Sequence, residues 1–600
     1  MTAARSEPYD YDSYSQITGP FRTPRDSGYQ VQYVSLMKRE RRRVGSSLLV
    51  LAALCLECAF LVWLVWPSHW PTHSSGWQYR TSMALVASIG VIELFRLVNV
   101  ATLSYATLTA RDPIPVRPQR GLRVAFLTSI VPSREPLALA EATLKAAGQM
   151  RHTGKLDLWL LDEGDDEACK QLCRRSGVRH FTRKGIAKYN QDAGAHKART
   201  KHGNYNAWLA EHGQDYDFWV SVDTDHVPLP NFVERLLGYF RDPDVAFVVG
   251  PQVYGNDEKF ITRAAESQQY LFHSVLQRAG NTHGCAMFVG TNNAMRISAL
   301  QQIGGLVDSV TEDAATSLVM HAARNPDTGR RWKSVYTPDV LAVGEGPSSW
   351  TDFFTQQHRW SRGTNEAMFT TFWTARGMGF LRRMHYTMLL SYYPTTALAW
   401  LLGAANLAAY LLAGAGGVSV PIHLWLLLYV DAAVLQLAIY FFNRRHNISP
   451  HEEEGSSGVA GMFVSVLSTP VYVAAFLAGL RRRAGAFVIT PKGADANADS
   501  GRTFALGNAW GVGLGIMLVV SQFLHHTHPL MRGWALLTMV VSFLPVLIWQ
   551  GGRYATRWGE RAGSRPPVVV PLTQILQHAG AHSAWQLRDT ADDHVLEAHR

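Results

Sequence analysis

Acidic residues stand directly after apolar runs in the centre of this 600-residue chain, where carboxylates can hold a divalent cation or take up a proton. Leu161-Asp162-Glu163-Gly164 follows one such run, and Val222-Asp223-Thr224-Asp225-His226-Val227-Pro228 follows another. Two carboxylates one residue apart at a strand end can both face Mg2+ or Mn2+, and hard cations of this kind bridge carboxylate oxygens to a diphosphate. The bland alternative is a solvated turn, since the chain has 47 Asp and Glu residues to distribute. The position after an apolar run, with the Pro228-Leu-Pro230 turn beyond it, favours the cation reading. The neighbouring Asp165, Asp166 and Glu167 read as the solvated start of a helix.

Further along, Val310-Thr311-Glu312-Asp313-Ala314 opens a helical stretch with Thr311 as its expected cap. Asp313 there suits a general base that accepts a proton from an attacking hydroxyl. With no protein nucleophile required, a single displacement would invert the carbon attacked. Gln356-Gln357-His358-Arg359-Trp360 follows in an aromatic-rich stretch. Arg359 offers a planar fork that matches diphosphate oxygens. Trp360 suits a sugar-stacking platform, although read singly a Trp here is more simply an interfacial anchor.

These residues need a scaffold. The runs at 123–130, 156–161, 217–222 and 245–250 have strand length and are separated by helix-like stretches, which predicts a mostly parallel α/β sheet with ligands beyond the carboxyl ends of its strands. Apolar runs long enough to cross a bilayer flank this centre at 46–66, 82–102, 386–412, 423–442, 508–524 and 533–549. A seventh, 459–480, contains Pro470 and Gly479 and runs straight into Arg481-Arg482-Arg483. Six spans place every basic loop on the same side as the basic amino-terminal segment, so the seventh is expected to lie at the interface or to re-enter. The centre, 110–383, and both termini are then cytosolic.

The net charge of +10 gathers in clusters at membrane edges, such as 38–43, Arg444-Arg445 and 481–483, which excludes nucleic acid as the expected partner and marks cytoplasmic anchors. Five cysteines offer no disulfide framework: Cys55 and Cys58 lie in an apolar run, and Cys169, Cys173 and Cys285 in the expected cytosolic region. Residues 1–45 are rich in Tyr, Ser, Arg and Pro and read as a disordered cytosolic tail without a cleavable signal.

Taken in order, Asp162-Glu163-Gly164, Asp223-x-Asp225-His-Val-Pro, Thr311-Glu312-Asp313 and Gln356-x-x-Arg359-Trp360, set between two groups of spans, resemble processive family 2 glycosyltransferases, above all cellulose synthase and cellulose-synthase-like enzymes. Lys201-His-Gly203-Asn204 resembles the family's donor-contacting Lys-x-Gly-Asn, and Phe487-Val-Ile489-Thr490-Pro-Lys492 its gating loop. The resemblance implies an α/β glycosyltransferase-A-type (Rossmann-like) domain inserted between transmembrane helices, six spans plus interface helices. It implies substrate contacts from Asp162, Lys201, Asp223, Glu312, Gln356, Arg359, Trp360, Thr490 and Lys492, metal held by Asp223 and Asp225, and Asp313 as base. It also implies a UDP-sugar donor, UDP-glucose favoured, a growing β-linked polysaccharide passed outward, membrane lipids around the spans, and outer-surface polysaccharide-processing partners.

The divisions expected are a tail to 45, two spans in 46–109, the transferase domain at 110–383, two spans in 384–443, an interface helix and gating loop at 444–505, two spans in 506–550, and a cytosolic tail at 551–600. Localisation is expected in the plasma membrane. Phe288-Val-Gly290-Thr-Asn292-Asn293 departs from the Phe-Phe-Cys-Gly-Ser-like finger of cellulose synthases, and the first acidic pair is Asp-Glu, not Asp-Asp, so the sugar stays open. Gln-Gln-His-Arg-Trp also resembles plant mannan synthases, and Gln-Gln-x-Arg-Trp chitin and hyaluronan synthases. Only about fifty residues follow the last apolar run, and Arg553-x-x-x-Arg557 lacks a partnering Asp-x-Ser-x-x-Gly, so control by cyclic-di-GMP is not expected. The competing classes are a single-transfer enzyme loading a lipid carrier and a non-enzymatic transporter or scaffold; the latter leaves the ordered acids unexplained.

Overall fold

The computed structural model describes residues 11–24, 28–39, 43–71, 76–452, 456–481 and 497–561. The sheet that forms the centre has seven strands: β1 (Arg123–Ile130), β2 (Lys155–Asp162), β3 (Arg179–Phe181), β4 (Phe218–Ser221), β5 (Val245–Val249), β6 (Asn293–Arg296) and β7 (Lys333–Tyr336). Their spatial order is β7-β5-β6-β4-β1-β2-β3. All pairs are parallel except those of β6, which runs antiparallel to β4 and β5. β-Branched and aromatic residues buried on both faces explain why these segments form interior strands. In β1, Val124 and Phe126 enter one core layer while Ala125 and Leu127 enter the other, the two-residue alternation of a strand.

The register decides what meets at the sheet edge. Ile130 pairs with Asp162, Leu127 with Ser221, and Val249 with both Tyr336 and Asn293. The carboxyl ends of β1, β2, β4 and β5 therefore converge, and because β6 is reversed its amino end joins them. The turns at 162–164, 222–225 and 290–293 share one edge, where open α/β sheets bind ligands.

Among the described residues, six helices are long and apolar enough to cross a membrane: Val44–Leu64, Tyr79–Thr109, Phe380–Ala413, Ile422–Arg444, Gly501–Phe523 and Pro529–Arg553. They flank the sheet domain in sequence, as expected. A charged group buried among them is paired, as such groups must be in a bilayer. Arg96 donates Nη2–H to Glu57 Oε2 at 2.9 Å, approaches Glu93 at 3.5 Å and lies 4.5 Å from the Tyr429 ring centre. The seventh apolar run is two helices, Val459–Leu467 and Thr469–Leu480, bent by 45°. Tyr472 from its second half donates to Gln357 Oε1 at 3.0 Å and accepts from Gln268 Nε2 at 3.2 Å, which ties it to two helices of the central domain.

The amino-terminal segment departs from expectation. Residues 11–39, read as a disordered tail, have a defined course wherever described: Tyr33–Ser35 pairs antiparallel with Arg111–Pro113, and Val31 N donates to Asp242 Oδ2 at 3.2 Å. Low apolar periodicity concealed this, because the segment is held by individual polar bonds and by scattered side chains without a regular spacing, such as Tyr11, Tyr14 and Val31, which pack on the central domain, and buried Leu36.

Candidate active site

The Asp-x-Asp turn after β4 is tied down from three sides. Asp223 N donates to Thr291 Oγ1 at 2.9 Å, Thr224 Oγ1–H is bonded to Ser129 O, and Thr143 Oγ1–H donates to Thr224 O at 2.7 Å. His226–Pro228 then pairs with Ala342–Gly344 in a short antiparallel ribbon. Ligand atoms of Asp223, Asp225 and His226 lie within 4.8 Å of one another. Asp223 is the open member, its side chain 38% exposed, whereas the Asp225 and His226 side chains are 11% and 5% exposed. His226 Nδ1 lies 3.3 Å from Asp225 Oδ1 and holds that carboxylate in place. Carboxylate oxygens with an imidazole behind them fit a divalent cation. A cationic group already sits against Asp223, because the Lys201 ammonium is bonded to its Oδ1.

Lys201 opens the helix Lys201–His212, capped by Thr200, and its ammonium also donates to Gly290 O at 2.7 Å. Burial would lower its pKa, but the charges of Asp223, Tyr205 and Glu312 outweigh burial and hold it above the ordinary value. Gly290, at φ +79°, is the centre of the constellation. A β-carbon there would lie 3.7 Å from Asp313 Oδ2, 3.8 Å from Glu312 Oε1 and 4.0 Å from Lys201 Nζ. The positive φ favours glycine, which lets this backbone pass between the three charges.

Glu312 and Asp313 begin the helix Glu312–Ala322. Asp313 Oδ1 accepts from Ala314 N at 2.7 Å. Burial, then the adjacent Glu312 charge, pushes the Asp313 carboxyl up to about 7, and burial likewise raises Glu312. Thr311 does not cap this helix: it makes no side-chain cap bond, and its methyl group packs so tightly on the helix Trp350–Phe369 that a β-carbon at Gly363 would come within 2.1 Å of it. Packing on a glycine displaced capping as the use of this residue.

The same helix carries Gln356, Arg359 and Trp360. Gln356 is buried, with its Oε1 unpartnered among the described residues, and Arg359 and Trp360 are half-buried. Ser349 caps the helix, and wholly buried Asp352 accepts from Asn497 Nδ2 at 2.6 Å and Asn497 N at 3.1 Å. Thr490 and Lys492 lie outside the described residues.

Asp162 is wholly buried, accepting from Gly164 N at 2.7 Å and Asp166 N at 2.6 Å, with His180 Nε2 at 3.0 Å. Its carboxylate shapes the turn after β2. Asp166 caps the following helix through Ala168 N at 2.8 Å, in keeping with the solvated helix start read from the sequence. Two residues that carry no sequence signal also build the site. Arg183, 1% exposed, grips Glu163 with both arms and reaches the carbonyls of Tyr189, Lys197 and Thr200, so it holds the approach to Lys201. Thr291 anchors Asp223 across the sheet edge.

Residues 220–443 match the family described as glycosyl transferase family group 2. The chain is 25% identical over 344 residues to a cellulose synthase catalytic subunit (UDP-forming) of Xanthomonas axonopodis pv. citri, covering 55% of this chain and 43% of that one. It is 32% identical over 201 residues to a UDP-forming cellulose synthase of Dictyostelium discoideum, covering 32% and 18%. With a probable glucomannan 4-beta-mannosyltransferase of Oryza sativa subsp. japonica it shares 29% over 228 residues, covering 36% and 41%. The chain thus spans less than half the length of each of these relatives. Among solved structures, a mannosyltransferase of Pyrobaculum calidifontis in complex with GDP-Man and Mn2+ aligns with 67% of this chain and 99% of its own at 18% identity and a TM-score of 0.43, too loose a likeness to argue from. Residues 220–443 thus match glycosyl transferase family group 2, and part of the chain is similar to UDP-forming cellulose synthase catalytic subunits.

Proposed function

We propose that the protein is an inverting, processive glycosyltransferase that extends a β-linked polysaccharide from a cytosolic nucleotide-diphosphate sugar and passes it outward through its own spans. The observation that carries this reading is the ring of Asp313, Glu312 and Lys201 around Gly290, joined through Lys201 to the Asp223-x-Asp225 turn. A base, a cation and a carboxylate pair at one strand edge are what sugar transfer from a diphosphate requires.

In the reaction, Asp313 accepts the proton of the acceptor hydroxyl as its oxygen bonds to the anomeric carbon, and the bond from that carbon to the diphosphate oxygen breaks on the opposite face. An α-linked donor thereby gives a β-linked product, and the nucleoside diphosphate leaves with the bonding pair. Asp223 and Asp225, steadied by His226, would hold Mg2+ or Mn2+, which when bound neutralises charge on the diphosphate. Lys201 and Arg359 add positive charge on the leaving-group side. Glu312 keeps the Asp313 carboxyl basic. Asp162 and Arg183 act through the turns they hold. Gln356 offers a buried acceptor to the sugar, and Trp360 a face for the growing end. Thr490 and Lys492, outside the described residues, are assigned to the donor by the motif resemblance alone; Asn497, which follows them in sequence, is bonded to the helix that carries Gln356.

The basic loops support a catalytic domain and both termini on the cytosolic side of the plasma membrane. UDP-glucose is the favoured donor. The rice relative and the altered 288–293 segment support a mannan-type synthase as the second reading. A panel of UDP-glucose, UDP-N-acetylglucosamine and GDP-mannose, with protein in vesicles and either metal, separates them by nucleotide release and product length. Only a monosaccharide-lipid product would refute processivity.

The raised Asp313 carboxyl predicts a pH dependence. The base works only when ionised, so activity falls as pH drops through its pKa, and the acid limb should lie near pH 7, not in the ordinary carboxylate range. Glu312→Gln removes one cause of the rise and should move that limb to lower pH. A limb that stays in place in the variant would refute the coupling.

A further inference from the structure

The amino-terminal arm is seated on the buried Arg235–Asp339 ion pair. Thr18 N donates to Asp339 Oδ1 at 2.9 Å, and Thr18 Oγ1–H donates to Asp339 Oδ2 at 3.0 Å. Arg235 binds the same carboxylate through Nε at 3.0 Å and Nη2 at 2.6 Å, donates from Nη2 to Thr18 Oγ1 at 2.6 Å, and reaches Gly19 O at 2.8 Å. Arg235 and Asp339 are 3% and 0% exposed. Without the arm, this ion pair would lose three polar partners at a site where unsatisfied groups are costly.

Asp339 lies three positions before the strand Ala342–Gly344 that supports the cation turn. Val340 N donates to Tyr14 O at 2.9 Å, so the arm grips the chain at 339 and 340. Ala342, Val343 and Gly344 then pair with Pro228, Val227 and His226. Glu345 N donates to Asp225 O at 3.2 Å, and a β-carbon at Gly344 would lie 2.4 Å from His226 Nε2, so this strand presses on the imidazole that steadies Asp225. The path from Thr18 to the Asp225 carboxylate is one continuous set of bonded or close-packed groups.

We propose that residues 11–24 form a strap that positions the cation turn, with Thr18 as its key positioning residue acting through Asp339 and the 340–345 segment that contains the strand Ala342–Gly344. The proposal rests on the reading of Asp223 and Asp225 as cation ligands. The strap makes no contact with the sugar donor in this scheme. It sets how well Asp225 and His226 are aligned, and so how tightly the turn holds a divalent ion. Because the bonds are non-covalent and confined to a short segment, a peptide of the same residues can re-form them.

The test is Mn2+ binding, read by electron paramagnetic resonance on full-length protein in detergent, on a variant lacking residues 1–24, and on Thr18→Val. The expected result is Mn2+ binding about 10-fold to 100-fold weaker in the truncation, the range for loss of groups that orient metal ligands, and a smaller loss in Thr18→Val. A synthetic peptide of residues 11–24 added to the truncated protein should restore the affinity. Unchanged Mn2+ binding in both variants would overturn the strap, even if the melting temperature fell. Absence of Mn2+ binding by the full-length protein would instead overturn the cation reading beneath it. Sugar transfer measured alongside should show a higher Mn2+ requirement, while transfer at saturating Mn2+ returns toward that of the intact chain.

Discussion

Asp313→Asn should reduce sugar transfer by about 10²-fold to 10⁴-fold, the contribution of a positioned general base, while nucleotide-sugar binding changes little. Asn keeps the shape of the side chain and can still accept from Ala314 N, the bond that Asp313 Oδ1 makes at 2.7 Å. What it loses is the ability to take a proton. The neighbours argue that the loss is chemical, not structural: Asp313 is raised by burial and by Glu312, with no bidentate partner whose loss would unfold the helix start. Donor binding measured by calorimetry and transfer measured by labelled-sugar incorporation should therefore separate. Transfer at the wild-type rate in Asp313→Asn would remove Asp313 as the base. A parallel fall in donor binding would assign it to substrate holding.

The parts of the site that could be read from sequence are those with a local cause. β1 was legible to its ends, Arg123–Ile130, because both of its faces are apolar, and the acids after β2 and β4 marked the strand ends. The six long apolar helices among the described residues were legible because length and hydropathy alone mark them. The antiparallel strand Asn293–Arg296 was not, since four residues carry no periodicity and its direction is set by pairing with β4 and β5. Its reversal delivers Gly290 and Thr291 to the site. Arg183 is invisible for a similar reason: its five donors are matched by one carboxylate and by backbone carbonyls spread over 189–200. The amino-terminal arm was misread because polar composition resembles disorder when the partners are far away in sequence.

The division of labour within the Asp-x-Asp turn follows from exposure. Asp223 is open and shares its charge with Lys201, whereas Asp225 is enclosed and braced by His226. Residue spacing cannot distinguish the two, because both follow the same strand. The inner carboxylate is held in one orientation, and the outer one can exchange a lysine for another cation.

That asymmetry makes Asp225→Asn the sharper test of cation use. Replacing a carboxylate by an amide leaves an oxygen of similar reach but removes the charge that a hard cation needs. The backbone bond from Glu345 N to Asp225 O does not depend on the side chain, so the ribbon behind the turn should survive. Transfer at limiting Mn2+ should fall by about 10²-fold to 10³-fold, as when a preorganised electrostatic group is lost, and raising Mn2+ should recover part of it. Asp223→Asn should behave differently, because it also releases the Lys201 ammonium toward Glu312 and Asp313, which surround the same glycine. Its acid limb should move to lower pH, since a freed cation nearer Asp313 favours the ionised base. A metal titration of Asp225→Asn that overlays the wild type would show that this carboxylate holds no cation, and an unmoved acid limb in Asp223→Asn would break the link drawn between the two halves of the site.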